Sequence, residues 1–374
     1  MINNQRCPVC NSSENDFVFS HNSIPKYNLN YGLTETDSLS KSKKRVRFVE
    51  CKKCGFLFNQ NFEELTYSLK YESNRSHSVI FKKYLHDIAE KLMRTFNLSL
   101  EETFLEIGFG DSNFLKTLLK INGIKSKYIG FDNAYENNYQ GDDLKLFNKT
   151  YQPGYPCKPN VVILRHVLEH ISGLKEFLSN VLWEEPKYLF IEVPCKNFIY
   201  DSNFHYFSNE HCSYFDVFSL QKLLLEFDYY LIKNEIVFNS ENLIAFFQKD
   251  TKFLNNYSRK KLVMKNSFES FSEDILNKLD FENDFIWGAS GKGVMLLNIL
   301  NIDRGKMPYI VDINPNLWGK FIPCTANKII SPKEMVEYIS SKSKIWILNK
   351  LYKEEIKYQL RDLSVTNPIL PLIN

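Results

Sequence analysis

Between Thr103 and Lys249, short apolar runs of strand length alternate with segments of helical period, and this alternation restricts the possible folds more than any other feature of the chain. The runs are "TFLEI" (103–107), "YIGFD" (128–132), "NVVILR" (160–165) and "YLFIEV" (188–193), with helix-compatible stretches between them. Strands separated by helices must run parallel, because a crossover carries the chain back before each new strand, so a doubly wound α/β sheet is expected. Upstream, Leu85, Ile88, Ala89, Leu92, Met93 and Phe96 recur at three- and four-residue intervals and predict an amphipathic helix. Downstream, a helix near 217–227 precedes two strands at about 234–238 and 242–248, close enough to pair antiparallel at the sheet edge. The polar segment 250–281 reads as a helical connector. A second, smaller α/β unit follows, with strands "FIWGAS" (285–290), "YIVDIN" (309–314) and "KIWIL" (344–348). The expected organisation is therefore residues 1–66, 67–249, 250–281 and 282–374. At 374 residues the chain exceeds a single ordinary domain, and 44% hydrophobic content supplies a core for each unit.

The segment 1–66 contains two C-x-x-C pairs, Cys7 with Cys10 and Cys51 with Cys54. Each pair can present two thiolates from one tight turn to a tetrahedral zinc ion. Four sulfur ligands leave no open position for water or substrate, so the metal is expected to be structural; the competing reading is a redox or incidental pair. The polar stretch "SLSKSKKR" (38–45) between the pairs reads as a solvated excursion. The remaining cysteines, Cys157, Cys195, Cys212 and Cys324, are scattered, which suits a reducing compartment. The first residues lack a signal-peptide apolar run, and no later run approaches the ~20 residues that span a bilayer, so a cytoplasmic protein without membrane contact is expected. A net charge of +3 imposes no large basic surface, and nucleic acid is not expected as a partner.

The run "TFLEI" leads straight into "GFGDSNFLKTLL", a strand, glycine turn and helix. Gly108 and Gly110 allow close approach of the backbone to a ligand. The third position of a dinucleotide fingerprint holds Asn113, which points away from a pyrophosphate site and towards a cofactor without phosphate. Glu106 at the strand end can take the amino group of a methionine moiety, and Asp132 at the end of the next strand can accept both hydroxyls of a ribose. Acid, glycine turn and second acid together suit S-adenosylmethionine. "RHVLEHI" then places His166 at the carboxyl edge of the sheet beside that cofactor. The bland alternative is a generic doubly wound unit with accidental acids.

After the strand "IEVP" comes "NEHCSYFD", which joins Glu210 to His211 at the rim where open α/β sheets bind ligands. His211 is the candidate general base, with Glu210 orienting it or holding a substrate hydroxyl; the bland reading is a loop histidine held by the backbone. His170 reads as structural. In the last unit "WGASGKG" brings Gly288, Gly291, Gly293 and Lys292 to a helix start that can cradle a phosphate, or can be a plain turn.

Taken together these residues resemble the zinc-containing methyltransferases that act on nucleotide-linked deoxysugars, many of them C-methyltransferases. The resemblance covers almost the whole chain: the paired C-x-x-C knuckles, "YESNRS" (71–76), "LEIGFGD", "RHVLEH", "IEVP", "NEHCSYF", "GASGKGVMLLN" and "VDINPNLWGKFIP". It implies an N-terminal zinc-binding module, a central class I methyltransferase Rossmann-like domain that binds S-adenosylmethionine, and a C-terminal Rossmann-like domain that helps enclose a sugar nucleotide or related phosphorylated sugar. It also implies that Tyr71, which matches the family's Tyr-x-Ser segment, donates to a developing oxyanion. Ser208 and Asn209 stand where the family typically has tyrosine and histidine, "NSENL" replaces a Gly-Gly-Ser, and Ser112 replaces a glycine. Methylation of carbon and of oxygen both fit a base at His211. A non-catalytic binding or scaffold protein on a degenerate methyltransferase fold is the rival reading, and a nicotinamide-dependent oxidoreductase using the C-terminal glycine turn ranks last.

Overall fold

The computed structural model describes residues 6–66, 77–123, 125–135, 137–250, 259 and 261–373. Its strands, in chain order, are β1 (Asn15–Pro25), β2 (Lys43–Cys51), β3 (Leu57–Asn59), β4 (Thr103–Ile107), β5 (Lys127–Phe131), β6 (Tyr139–Gln140), β7 (Leu144–Phe147), β8 (Val161–Arg165), β9 (Tyr188–Pro194), β10 (Ser213–Tyr214), β11 (Tyr229–Val237), β12 (Asn242–Lys249), β13 (Phe285–Trp287), β14 (Tyr309–Val311), β15 (Lys328–Ile330), β16 (Ile345–Ile347) and β17 (Ile369–Pro371).

These strands make three sheets. The central one runs β11-β12-β9-β8-β4-β5-β7-β6. Its core strands β4, β5, β7, β8 and β9 are parallel, and β12, β11 and β6 join antiparallel at the two edges. Strand order reverses between β4 and β8, so their carboxyl ends open a crevice at a topological switch point. Helix Val79–Phe96 covers one face with the expected stripe: Leu85, Ile88, Ala89, Leu92 and Phe96 are buried, each large side chain contributing about 1.5–3 kcal/mol. Ser78 caps its start by accepting from Phe81 N, and left-handed Asn97 ends it.

The N-terminal sheet, β1-β2-β3-β10, takes its last strand from the segment that follows His211. Phe58 pairs with Ser213 and Leu57 with Tyr214. The stretch 38–45 differs from the solvated excursion expected of it. Helix Glu35–Leu39 starts it and β2 begins at Lys43. Ser38 is buried and its hydroxyl donates to Ile322 O in the C-terminal segment. The lysines and arginine hid a strand because they occupy its outward positions, while Val46 and Phe48 beyond them point inward. The third sheet, β15-β14-β13-β16-β17, is parallel throughout, with helix Gly291–Ile299 buried along nearly its whole length.

Candidate active site

The glycine turn after β4 is shaped by backbone geometry that only glycine meets without strain. Gly108 has φ 70°, and a Cβ there would lie 2.6 Å from Val167 Cγ2. Gly108 N donates to Phe131 O at 2.8 Å, which ties the turn to the end of β5. Asp132 completes the tie: its Oδ2 accepts from Gly110 N and its Oδ1 from Ala134 N, both at 2.8 Å. The carboxylate thus sits beside the turn at the mouth of the crevice, held by two N–H groups that fix its orientation.

Beneath the turn lies a buried charged network. Glu106 is 1% exposed and 3.9 Å from the Arg165 guanidinium, and its Oε2 has no hydrogen-bond partner. Burial pushes its carboxyl up to about 8 despite Arg165. Arg165 Nε donates to Glu192 Oε2 at 2.7 Å, and Tyr84 and Asn242 donate to Glu192 Oε1 at 2.5 and 2.9 Å. Burial raises Glu192, but Arg165 and His166 outweigh it and hold the carboxyl below the usual range. His166 adopts φ 54°, a left-handed conformation that a non-glycine residue keeps only when its surroundings force it. Its Nε2 is 3.2 Å from Glu192 and its Nδ1 3.3 Å from Glu169. Burial lowers His166, yet these two carboxylates outweigh it and raise the imidazole's pKa.

Glu169 carries the network on to the NEH loop. Ligand atoms of Glu169, His170 and His211 all lie within 4.8 Å of one another. His170 and His211 meet edge to face with ring centroids 4.9 Å apart, and His211 packs on Tyr214 at 5.4 Å. His170 Nδ1 lies 2.8 Å from Glu210 O; a carbonyl only accepts, so Nδ1 carries the proton. Burial pushes the His170 imidazole down, so it stays neutral at neutral pH. Ser208 Oγ accepts from Glu210 N at 3.0 Å and from Asn28 Nδ2 at 2.8 Å, and Asn209 Nδ2 donates to Lys26 O at 3.1 Å. Ser208 and Asn209, both 2% exposed, therefore brace the loop from within.

The structure brings Glu106, Gly108, Gly110, Asp132 and His166 to one crevice and Glu210 with His211 to the adjoining loop. Tyr71, with the rest of "YESNRS", lies outside the described residues. His170, which the sequence reads as structural, lies beside His211. Its signal was available in the spacing of "HVLEH", which a short 3₁₀ turn, Leu168–His170, curls so that His166 and His170 both meet Glu169.

The elevated Glu106 has a measurable consequence. An acid whose folded pKa exceeds its unfolded value holds its proton in the fold and releases it from the unfolded chain, so stability falls as pH climbs from 4.5 towards about 8. The melting temperature of the wild type should fall relative to Glu106→Gln across that interval. A difference that stays constant with pH would contradict the assignment.

At the other end of the N-terminal sheet the four cysteines converge. Cys7 Sγ lies 3.4 Å from Cys54 Sγ and Cys10 Sγ 3.5 Å from Cys51 Sγ, with all four within 4.8 Å. A tetrahedral ion with Zn–S bonds of ~2.3 Å sets its sulfurs about 3.8 Å apart, so the donor set fits zinc. Fully buried Lys196 fastens this knuckle to the central sheet: its Nζ donates to Gly55 O at 2.5 Å and pairs with Glu50 at 3.2 Å and Asp216 at 3.0 Å.

Residues 80–234 match a methyltransferase domain, and residues 245–367 match a C-methyltransferase C-terminal domain. No curated protein matches the chain. Among solved structures, the magnesium protoporphyrin IX methyltransferase of Synechocystis PCC 6803 with bound S-adenosylhomocysteine is 14% identical, over 46% of this chain and 84% of its own, at a TM-score of 0.36. A SAM-dependent methyltransferase from Aquifex aeolicus is 14% identical over 44% of this chain and 97% of its own, at 0.32. The plantazolicin methyltransferase BpumL, in complex with a monoazolic desmethylPZN analog and S-adenosylhomocysteine, is 13% identical over 47% of this chain and 87% of its own, at 0.37.

Proposed function

We propose that this chain, a methyltransferase that takes its methyl group from S-adenosylmethionine, methylates carbon next to the carbonyl of a nucleotide-linked or related phosphorylated sugar. The observation that carries the reading is the cluster of polar side chains Glu192, His166, Glu169, His170 and His211, in which His166 lies between the carboxylates of Glu192 and Glu169, and atoms of Glu169, His170 and His211 lie within 4.8 Å of one another beside the loop where a base is needed. The C-methyltransferase match over 245–367 favours carbon over oxygen as the acceptor. The resemblance of the sequence motifs supports the sugar nucleotide. A scaffold role is not favoured, because both matched regions are methyltransferase domains.

In this reading Asp132 takes the ribose hydroxyls, Gly108 and Gly110 let the turn close on the cofactor, and Glu106 with His166 forms the floor beneath the methionine end. The cofactor supplies an electrophilic methyl group. His211 removes the proton from the carbon beside the ketone, and the electron pair of that C–H bond moves into the carbonyl to give an enolate. The enolate carbon then forms the new C–C bond as the S–CH₃ bond breaks and sulfur keeps its pair. His211 afterwards releases its proton to solvent. His170 packs edge to face on His211 and orients it, and Glu210 holds a substrate hydroxyl. Tyr71 is assigned to the enolate oxygen on the resemblance alone. The four cysteines hold one structural zinc.

Asp132→Ala should weaken S-adenosylmethionine binding by about 1–3 kcal/mol, since two hydroxyls lose a charged acceptor and Gly110 loses its tether. Calorimetry on the folded variant checks this, and unchanged affinity would place the cofactor elsewhere. The substrate is tested by a mass-spectrometric screen of nucleotide-linked keto sugars with S-adenosylmethionine. A product heavier by one methylene is expected with at least one of them, and none with the free sugars.

A further inference from the structure

Three residues in a row between β11 and β12 take a backbone conformation that suits glycine, and none of them is glycine. Phe238, Asn239 and Ser240 have φ of 52°, 56° and 68°, while Val237 pairs with Asn242 across the turn. Asparagine tolerates this left-handed region, but phenylalanine keeps it only where its surroundings force it. The turn is therefore held from outside, and the groups that hold it come from a distant part of the chain.

Glu241, the last residue of the turn, is 3% exposed. Its Oε1 accepts from Asn349 Nδ2 at 2.7 Å, and its Oε2 pairs with Lys292. Asn349 Oδ1 accepts from Leu351 N at 2.9 Å, so one amide both caps the short 3₁₀ turn Lys350–Tyr352 and reaches Glu241. The Tyr352 ring meets Phe238 edge to face with centroids 6.1 Å apart, and Phe238 packs on Tyr84 at 4.6 Å. Three residues further on, Glu355 accepts from Ser78 Oγ at 2.7 Å and from Val79 N at 3.2 Å, which seats the start of helix Val79–Phe96. The segment 349–355, just after β16, thus grips the central domain at the turn and at the helix.

Both grips lead to one oxygen in the cofactor crevice. Asn242, next to Glu241, donates its Nδ2 to Glu192 Oε1 at 2.9 Å. Tyr84, on the seated helix and packed on Phe238, donates to the same oxygen at 2.5 Å and lies 3.2 Å from Asn242 Nδ2. The other oxygen of Glu192 holds Arg165, which stands 3.9 Å from Glu106. A shift of the turn would therefore move both donors to Glu192 together and carry Arg165 with it. We propose that Glu241 is a positioning residue of the cofactor site: clamped by Asn349 and Lys292, it holds the strained turn in the course that sets Asn242 and Tyr84 on Glu192. The proposal rests on the reading of this crevice as the cofactor's and not on which acceptor is methylated.

Calorimetry of S-adenosylhomocysteine binding to the full chain tests this. Wild-type affinity reports on the crevice itself, and the ratio of variant to wild type reports on Glu241. Glu241→Ala should weaken binding by about three- to thirtyfold, the usual range for a residue that acts on a site through its neighbours. Adding Asn239→Gly and Ser240→Gly, which lets the turn keep its left-handed course with less help, should recover much of that loss. A role in general stability alone would lower the melting temperature and leave the affinity where it was. Asn349→Ala removes the same contact from the other side and leaves Glu241 its lysine, so it answers the question even where Glu241→Ala does not fold, and the two glycines should recover its loss in the same way. Wild-type affinity in the folded variants, or a loss that the glycines leave unchanged, would overturn the proposal.

Discussion

His211→Asn should cut turnover by about 10²–10⁴ while binding of S-adenosylmethionine is retained, the usual contribution of a positioned general base. Asparagine keeps the side chain polar and of similar reach but cannot take a proton. The loop should survive the change, because Ser208, Asn209, Asn28 and Lys26 brace it from within. His170→Asn should cost less and should shift the pH dependence of kcat, since it removes the titratable imidazole packed edge to face on His211. The check is single-turnover kinetics with the acceptor found in the substrate screen. Full activity in His211→Asn would return this histidine to a hydrogen-bonded loop residue at the pocket rim.

Loss of the cysteine cluster should be as damaging, by a longer route. One zinc per chain should co-purify, and Cys51→Ser should lower both soluble yield and melting temperature, because structural zinc sites carry apparent binding energies of ~10–16 kcal/mol that are also folding energy. The damage should extend to catalysis. Cys54 is followed at once by β3, whose Leu57 and Phe58 pair with Tyr214 and Ser213, the residues just after His211. Asn59 N further donates to Cys212 O at 2.8 Å, and Cys212 N to Glu169 O at 2.7 Å. A loosened knuckle therefore releases the strand that holds the base. Metal analysis, melting curves and turnover on the same preparation test this together; freshly purified, unchelated protein without zinc would remove the claim.

The central sheet was legible because its parallel strands are buried on both faces and read as unbroken apolar runs: β4, β8 and β9 lie where "TFLEI", "NVVILR" and "YLFIEV" stand. At one edge the antiparallel pair β11 and β12 also lies near its expected place, but at the other edge β6 and β7 were not legible. β6 and β7 are short, and Tyr139, Gln140 and Lys145 are exposed, so no apolar signal marks them. β17 is only half buried. The N-terminal sheet escaped notice because its β2 opens with three basic residues and its last strand, β10, comes from far along the chain, a pairing that no local pattern records. The site divides in the same way. Residues at strand ends, such as Glu106, Asp132 and His166, follow from strand position alone. The approach of His170 to His211 depends on how a 3₁₀ turn faces a loop forty positions away, which only the folded chain reveals.

The central claim is that a methyl group moves from S-adenosylmethionine to a carbon made acidic by a neighbouring ketone. It is tested most directly by NMR of the product formed in deuterium oxide from ¹³C-methyl S-adenosylmethionine and the accepted nucleotide-linked keto sugar. The account predicts a ¹³C-methyl resonance coupled to a sugar carbon, with solvent deuterium washed into that carbon in unreacted substrate by the wild type and not by His211→Asn. A methyl resonance at an oxygen-bound shift, with no deuterium in the sugar, would contradict it.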